Sequence, residues 1–294
     1  MILLTGATGF VGPRIVHALR AEARPVRALV RDESAGEPLR ELGCETVVGD
    51  MTDLASLRRA VEGCDTVVHL VAILTGKPED FERVMSQGTR DLVAAAQDAG
   101  IRRFILMSAL GTDERTRSLV PYYGAKWEME QVVKASGLEH VIFRPSFVFG
   151  PGGGALAQFR RIAKLAPVTP IVGSGTQRIQ PIWIDDVAAY FAAAVDKPEA
   201  ANRTFELGGP DVVTWNEFWS RLKKALGVRR PSVHLPFGLM RLQATVLERL
   251  PKPPVTRDQL TMLEVGDNVV SSSDAVDTFG LSLLPLDEQL RRSV

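Results

Sequence analysis

Over the first 144 residues, short apolar runs rich in β-branched side chains alternate with longer stretches of helical period. The runs are ILL (2–4), PVRALV (25–30), ETVV (45–48), TVVHL (66–70), RFILM (103–107) and HVIF (140–143). Their apolar positions run on rather than alternate, which is the mark of strands buried on both faces. Between them, RIVHALRAEA, LASLRRAVEG, FERVMSQGTRDLVAAAQDAG and YYGAKWEMEQVVKASG carry apolar residues at helical spacing, and the last three end on a glycine stop. Strand and helix in this order predict a parallel sheet covered by helices on both sides. That is a doubly wound α/β fold, whose ligands sit at the carboxyl ends of the strands.

After Gly150 the rhythm breaks. GPGGG and PVTPIVGSG read as loops, QPIWIDDVAAYFAAAVD returns to strand then helix, and RTFELGG reads as a further strand. Prolines then gather in HLPFGL and RLPKPPVT among short helices. The expectation is a first domain over residues 1–150, to which 181–198 returns, and a smaller interleaved substrate or partner lobe made of 151–180 and 199–294, closing over the cleft. No internal repeat or low-complexity tract is present.

Composition narrows the picture. The 294 residues are enough for a full core, and 35 basic residues balance 35 acidic ones without a run of either sign. That balance argues against a nucleic-acid stripe or a polybasic membrane anchor. Residues 1–4 are too short an apolar run for a membrane span or a signal segment. Cys44 and Cys64 show no CxxC pattern and read as buried thiols of a reducing compartment. His17, His69, His140 and His234 lack ligand spacing, so no metal is expected. A cytoplasmic protein without a transmembrane segment is the expectation.

The opening MILLTGATGFVG sets Gly6, Gly9 and Gly12 three apart behind the first strand. Glycine lets backbone approach an anion closely, and the free N–H groups at a helix start point toward it, so a phosphate has a natural seat here. Pro13 agrees, since proline is tolerated in a first helical turn. The second strand ends at Arg31, where dinucleotide folds that select NAD carry an acid. A guanidinium there suits a 2′-phosphate, favouring NADP(H). Asp32, one residue on, keeps NAD(H) open.

Together these segments resemble the short-chain dehydrogenase/reductase superfamily, in its extended or atypical, epimerase/dehydratase-like branch, along nearly the whole chain. The resemblance implies a Rossmann fold. TGATGFVG matches the nucleotide-binding turn, implying that Gly6, Thr8, Gly9, Phe10, Val11 and Gly12 line the cofactor. VVGDMTD is similar to the segment whose Asp50 and Met51 meet the adenine, and VVHLVA to the strand end where Leu70, Val71 and Ala72 line the dinucleotide. FRPSFVFGPG, with the nicotinamide implied at Pro145, Ser146 and Phe147, and QPIWIDDVA resemble two further stretches of extended members. TFELGGPDVVTWNEF and PPVTRDQLTMLEVGDNVV resemble the subgroup related to the NADPH-binding accessory subunit of respiratory complex I.

The superfamily's reactive pair is a Tyr and a Lys four residues on, here Tyr122 and Lys126, which share one helical face, and the resemblance implies that Lys126 also bonds the nicotinamide ribose. A buried ammonium can lower a phenol's pKa, giving a proton donor and acceptor for carbonyl–alcohol interconversion. The resemblance also implies a Ser or Thr after the fifth strand and an Asn on the fourth helix. Ala109 and Met85 stand there instead, with Ser108 one residue early as the replacement hydroxyl. Asp185 and Asp186 read as a helix cap and first-turn acid, and His69 as a core histidine. The polar loop 111–121 is a candidate lid. The first expectation is an oxidoreductase with an incomplete tetrad, acting on a carbonyl or quinone-like substrate. The second is a non-catalytic NADPH-binding subunit, assembly factor or redox sensor with a partner in a respiratory complex. A sugar-nucleotide epimerase or dehydratase stands third.

Overall fold

A computed structural model of the chain describes residues 1–248 and 256–293. Most of the proline-rich run RLPKPPVT, residues 249–255, lies outside them. In chain order the elements are β1 (Ile2–Thr5), α1 (Gly12–Ala21), β2 (Val26–Val30), α2 (Glu33–Glu41), β3 (Glu45–Val48), α3 (Leu54–Val61), β4 (Thr66–His69), α4 (Pro78–Phe81), α5 (Gly88–Asp98), β5 (Arg103–Met107), α6 (Pro121–Ala135) and β6 (Glu139–Pro145). They continue with β7 (Val148–Phe149), α7 (Gly154–Leu165), β8 (Thr169–Val172), β9 (Arg178–Ile179), β10 (Ile182–Trp183), α8 (Ile184–Ala194), β11 (Arg203–Leu207) and β12 (Val213–Thr214). The last are α9 (Trp215–Ala225), β13 (Ser232–Leu235), α10 (Phe237–Leu247), α11 (Arg257–Glu264), α12 (Asp274–Phe279) and α13 (Leu286–Arg292).

The chain forms two units. The first holds Met1–Pro145, Ile184–Leu207 and Ser271–Ser282. Its seven strands pair in the order β11-β6-β5-β4-β1-β2-β3, every neighbour parallel. This is the doubly wound Rossmann sheet, and its strand order reverses between β1 and β4, where such sheets open a crevice for ligands. Both faces are covered, so β1 and β4 are buried at every position. On one face Leu3, Val67, Phe104 and Ile142 pack with Leu57 and Leu92. On the other, Phe143 meets the rings of Tyr190, Phe191, Phe205 and Phe279, with the Phe191 centroid at 4.9 Å. Full burial of each such side chain contributes roughly 1.5–3 kcal/mol.

The second unit holds Ser146–Trp183, Gly208–Val270 and Leu283–Val294. It is built on three strand pairs, β7 with β10, β9 with β12 and β8 with β13. Its centre is an aromatic cluster of Phe149, Phe159, Trp215, Phe218 and Trp219.

Three local features differ from the sequence reading. The boundary expected at 150 falls at Pro145, because β7 pairs with β10 instead of extending the main sheet. RTFELGG, expected in the smaller lobe, supplies β11, whose Phe205 sits in register with Phe143 of β6. The stretch 81–100, which reads as one helix, opens with a π-helical turn over Glu82–Gln87 set between α4 and α5. The wider turn brings Gly88 so close to Met51 that a Cβ on Gly88 would lie 3.0 Å from the Met51 carbonyl oxygen. Such π segments gather at functional sites.

The start of α1 is the tightest point of this fold. A Cβ on Gly12 would stand 2.3 Å from the Ala7 carbonyl oxygen, so the helix must shift to admit one. Gly12→Ala is expected to lower stability by about 1–3 kcal/mol. Thermal unfolding would read this as a drop of several degrees, and an unchanged midpoint would show that the turn yields freely.

Candidate functional site

The site is assembled from the carboxyl ends of β1, β2, β4 and β5. β1 ends at buried Thr5, and the chain turns through Gly6 with φ +75°, a region that side-chain-bearing residues rarely adopt. The turn lies directly on the end of β4, since a Cβ at Gly6 would be 3.0 Å from the Val71 nitrogen. The Gly9 N–H donates to the Gly6 carbonyl at 3.0 Å, leaving Thr8 and Gly9 exposed at the tip and Phe10 half-buried. Val11 is buried, and α1 then begins without any side-chain cap. Bare backbone beside an uncapped helix start fits a pyrophosphate. Leu70 is buried, Val71 half-buried and Ala72 exposed where β4 leaves the sheet, so VVHLVA does end beside the turn.

The two candidates at the end of β2 have different fates. Asp32 is the N-cap of α2, accepting the Ala35 N–H at 2.9 Å and the Ser34 hydroxyl at 2.6 Å. Those bonds, the Ser34 hydroxyl foremost, hold its carboxyl below the usual range. Arg31 is exposed and has no hydrogen-bond or ion-pair partner among the described residues. Its charge reaches Asp32 and Asp50. Asp50 in turn accepts the hydroxyl and N–H of Thr52 at 2.7 and 2.9 Å, which keep it ionised, and Met51 beside it is buried.

Tyr122, Lys126 and Glu130 follow one another at intervals of four along α6. The Lys126 ammonium is buried and stands 6.0 Å from the centroid of the Tyr122 ring. It donates to the Met107 carbonyl at the end of β5, at 2.6 Å. Burial draws its pKa down to about 7, with the Glu130 carboxylate working the other way. In this state Lys126 does not lower the Tyr122 phenol as expected. Burial, then the neighbouring Tyr123, push that phenol above its ordinary value.

Ser108 is the clearest correction. Its hydroxyl donates to Glu130 at 2.6 Å, in a buried cluster that the sequence reading missed. Arg144 grips the same carboxylate with two bonds at 2.8 and 2.7 Å, and Lys134 adds a second cation at 3.1 Å. Burial opposes the charge on Glu130, yet Arg144, with Ser108 and Lys134, holds the carboxyl below the ordinary range. Ser108 is therefore committed to an internal ion pair and is not a free replacement for the hydroxyl absent at Ala109. The signal was present in the sequence: a glutamate eight residues beyond Tyr122 on the same helical face needs a buried partner.

Met85, in the position of the expected Asn, is wholly buried, and its sulfur accepts the Ile73 N–H at 3.4 Å. It steadies the segment leaving β4. His69 is a core residue, with Nδ1 2.6 Å from the Thr5 hydroxyl and Nε2 3.0 Å from that of Thr89. Burial, then the charge of Lys126, lowers its pKa to about 3. The loop 111–121 is braced: Asp113 accepts the Thr116 N–H at 2.8 Å, and the Thr116 hydroxyl donates to the Gly111 carbonyl at 2.6 Å. Asp185 lies in the first turn of α8 and pairs with Arg14 at 3.4 Å.

Pro145 closes β6 in the first unit, whereas Ser146 and Phe147 belong to the second. There the Ser146 hydroxyl donates to the Gln180 carbonyl, and Phe147 meets the Trp215 ring edge-on at 5.5 Å. Among the described residues no cluster of His, Cys, Asp or Glu could hold a metal, and no helix is long and apolar enough to cross a membrane. Both cysteines are buried and free.

Comparison with known proteins agrees with this geometry. A family model described as NAD(P)H-binding matches residues 6–198. The chain is 31% identical over 237 residues to the ceramide reductase of Caulobacter vibrioides (strain NA1000 / CB15N), covering 80% of this chain and 74% of that protein. It is 27% identical over 290 residues to the mitochondrial NADH dehydrogenase (ubiquinone) 1 alpha subcomplex subunit 9 of Arabidopsis thaliana, covering 92% and 72%. Its fold matches that of an NADPH-dependent quinone oxidoreductase from Escherichia coli complexed with NADPH, with a TM-score of 0.80, 22% identity, and 99% and 98% of the two chains covered.

Two expectations follow from the buried charges. His69 is held neutral in the fold, with a pKa near 3 against an ordinary 6.5, so the unfolded chain binds the extra proton and stability falls as pH drops through that window. The loss reaches roughly 3 kcal/mol by pH 4, and urea unfolding of His69→Gln should lack that share of the acid sensitivity. Arg144→Met strips Glu130 of its main partner and should destabilise by about 3–5 kcal/mol. The double variant Glu130→Gln/Arg144→Met should recover most of that loss, and failure to do so would mean that the pair is not the source.

Proposed function

The chain belongs to the NAD(P)H-binding family, and from that premise we propose that it is an NADP(H)-dependent reductase of a carbonyl or quinone-like compound. The observation that carries the reading is the buried Lys126 ammonium beside Tyr122 on one face of α6. NADPH supplies a hydride when bound. Tyr122 gives the proton that the reduced oxygen needs, and Lys126 steadies the phenolate that remains. Of the three N–H groups on Lys126, one serves Met107 and two are left for this work. A pKa near 7 lets Lys126 exchange its proton at neutrality, so the pair is not locked in one charge state.

Arg31 is the residue proposed to select NADP(H). Its guanidinium is exposed and has no partner among the described residues, while the carboxylate that would favour NAD is consumed as a helix cap. The relatives named ceramide reductase and quinone oxidoreductase support reduction as the reaction class. A specific observation favours a second reading, a nucleotide-binding subunit: Ala109 and Met85 replace two expected polar groups, and Ser108 is committed to Glu130. The relative named as a subunit of NADH dehydrogenase agrees with that reading.

Fluorescence titration with NADPH and NADH, followed by assays of NADPH oxidation against quinones and aldehydes, separates the two. Tyr122→Phe should lower kcat at least about 100-fold while leaving NADPH affinity nearly unchanged. Tight binding without turnover, indifferent to that change, would establish the subunit instead. Arg31→Asp should weaken NADPH about tenfold or more relative to NADH; equal weakening of both would remove the cofactor assignment.

A further inference from the structure

The charge balance of the whole chain hides a local imbalance. Residues 154–172 and 219–247 carry nine lysines and arginines and no acidic residue, in a chain whose formal charge is zero. The two stretches are far apart in sequence, which is why no basic run was visible. In the second unit they are laced together. β8 and β13 pair in parallel, the Thr169 N–H donates to the Pro231 carbonyl at 2.8 Å, and the Arg230 guanidinium donates to the Ala166 carbonyl. Lys223 ties the end of α9 to the same strand through the Arg230 carbonyl and the Ser232 hydroxyl, at 2.9 and 2.8 Å.

The alternation of the strand pair divides its residues between two faces. Thr169 and Ile171 of β8 are buried, and His234 of β13, on their side, is 2.9 Å from Asn216. The opposite face is apolar at every position: Pro170 beside Val233 and Val172 beside Leu235, none of them buried. Exposed apolar residues adjoin both ends of the pair. Leu165 and Val168 precede β8, and Leu239 and Leu242, three apart on α10, follow β13. Leu165 is 69% exposed and Leu242 66%. In the same basic stretches Arg161 and Lys164 of α7, Lys224 of α9 and Arg229 just before β13 are exposed and have no ion-pair partner among the described residues.

We propose that this face of the second unit, formed by the end of α7, β8, β13 and the start of α10, docks on an anionic lipid bilayer. Unpaired cations draw the unit to a negative surface, and the leucines enter the boundary between headgroups and acyl chains. The apolar component is what sets the occupant. A nucleic-acid surface needs the cations but leaves the leucines idle. The proposal stands apart from the redox reading, because no residue of the proposed catalytic pair takes part in it.

The test is co-sedimentation of the full chain with vesicles of phosphatidylcholine alone and with about 30% phosphatidylglycerol added, at low and high salt. The expected result is binding to the anionic vesicles only, weakening as salt rises. A charge-reversed variant (Arg161→Glu, Lys164→Glu, Lys224→Glu, Arg229→Glu) should bind at least about tenfold more weakly, since each cation at such a surface is worth roughly fivefold. A Leu165→Ser/Leu239→Ser/Leu242→Ser variant should lose binding by at least about tenfold as well. Both should keep the thermal midpoint and NADPH affinity of the parent chain. Absence of binding to anionic vesicles overturns the proposal. So does a leucine variant that binds like the parent, which would make the patch a surface for nucleic acid or another polyanion. Conversion of a dimer to monomer in the leucine variant, with vesicle binding unchanged, would assign the face to a second copy and overturn it equally.

Discussion

The first unit depends on the absence of a side chain at two points. Gly6 lets the turn after β1 lie against the backbone of Leu70 and Val71, and Gly12 lets α1 begin in contact with the Ala7 carbonyl. A methyl group at Gly6 would force the turn away from the end of β4, and one at Gly12 would force the start of α1 away from Ala7. Because β1 sits between β2 and β4 at the centre of the sheet, that turn fixes what surrounds it. The parallel register pairs Thr5 with Leu29, so Arg31 emerges two residues beyond, on the carboxyl side where the uncapped start of α1 also lies. A cation and a set of free N–H groups thus come to one edge of the sheet through backbone geometry alone.

Along α6 the same helix handles two buried charges in opposite ways. Glu130 is saturated: Arg144, Lys134 and Ser108 occupy its oxygens, and the carboxylate stays ionised despite being fully buried. Lys126 has one carbonyl and no direct counter-ion, and its charged form is disfavoured. Its pKa near 7 lies below the unfolded value of 10.5, so the unfolded chain holds the extra proton between those limits and this group's contribution favours folding more as pH rises through them. Glu130 is a fixed charge that organises the helix, and Lys126 is an adjustable one.

Much of this was legible in the chain. The apolar runs gave six strands of the main sheet, and the glycine spacing with Pro13 gave the turn and the start of α1, because both are local signals with a fixed period. Features that depend on distant partners were not legible. Which way Ser108 faces is decided by Glu130, 22 residues later, and the assignment of β7 to the second unit by β10. The π-helical turn at Glu82–Gln87 and the close approach of Gly88 to Met51 beyond it have no counterpart in the periodicity of the stretch itself. Balanced composition likewise concealed the basic surface, since pairing β8 with β13 is what joins its halves.

The two substitutions in the expected tetrad bear on the balance between reduction and binding. Loss of a hydrogen-bond donor to a developing oxyanion lowers a rate by about 100- to 1000-fold, a large penalty that still leaves proton transfer and positioning in place. At both substituted positions the surrounding polar groups have found other partners: the sulfur of Met85 takes the Ile73 N–H, and the Ser108 hydroxyl takes Glu130. These exchanges preserve the framework around the dinucleotide turn while reducing the groups available to substrate. Tyr122 and Lys126 belong to the same framework, and Lys126 is buried with the Met107 carbonyl as its hydrogen-bond partner among the described residues, an arrangement that suits either proton transfer or a bond to the nucleotide. On the reading proposed above, carbonyl activation therefore falls chiefly to Tyr122, with fewer polar groups beside it than the resemblance implies.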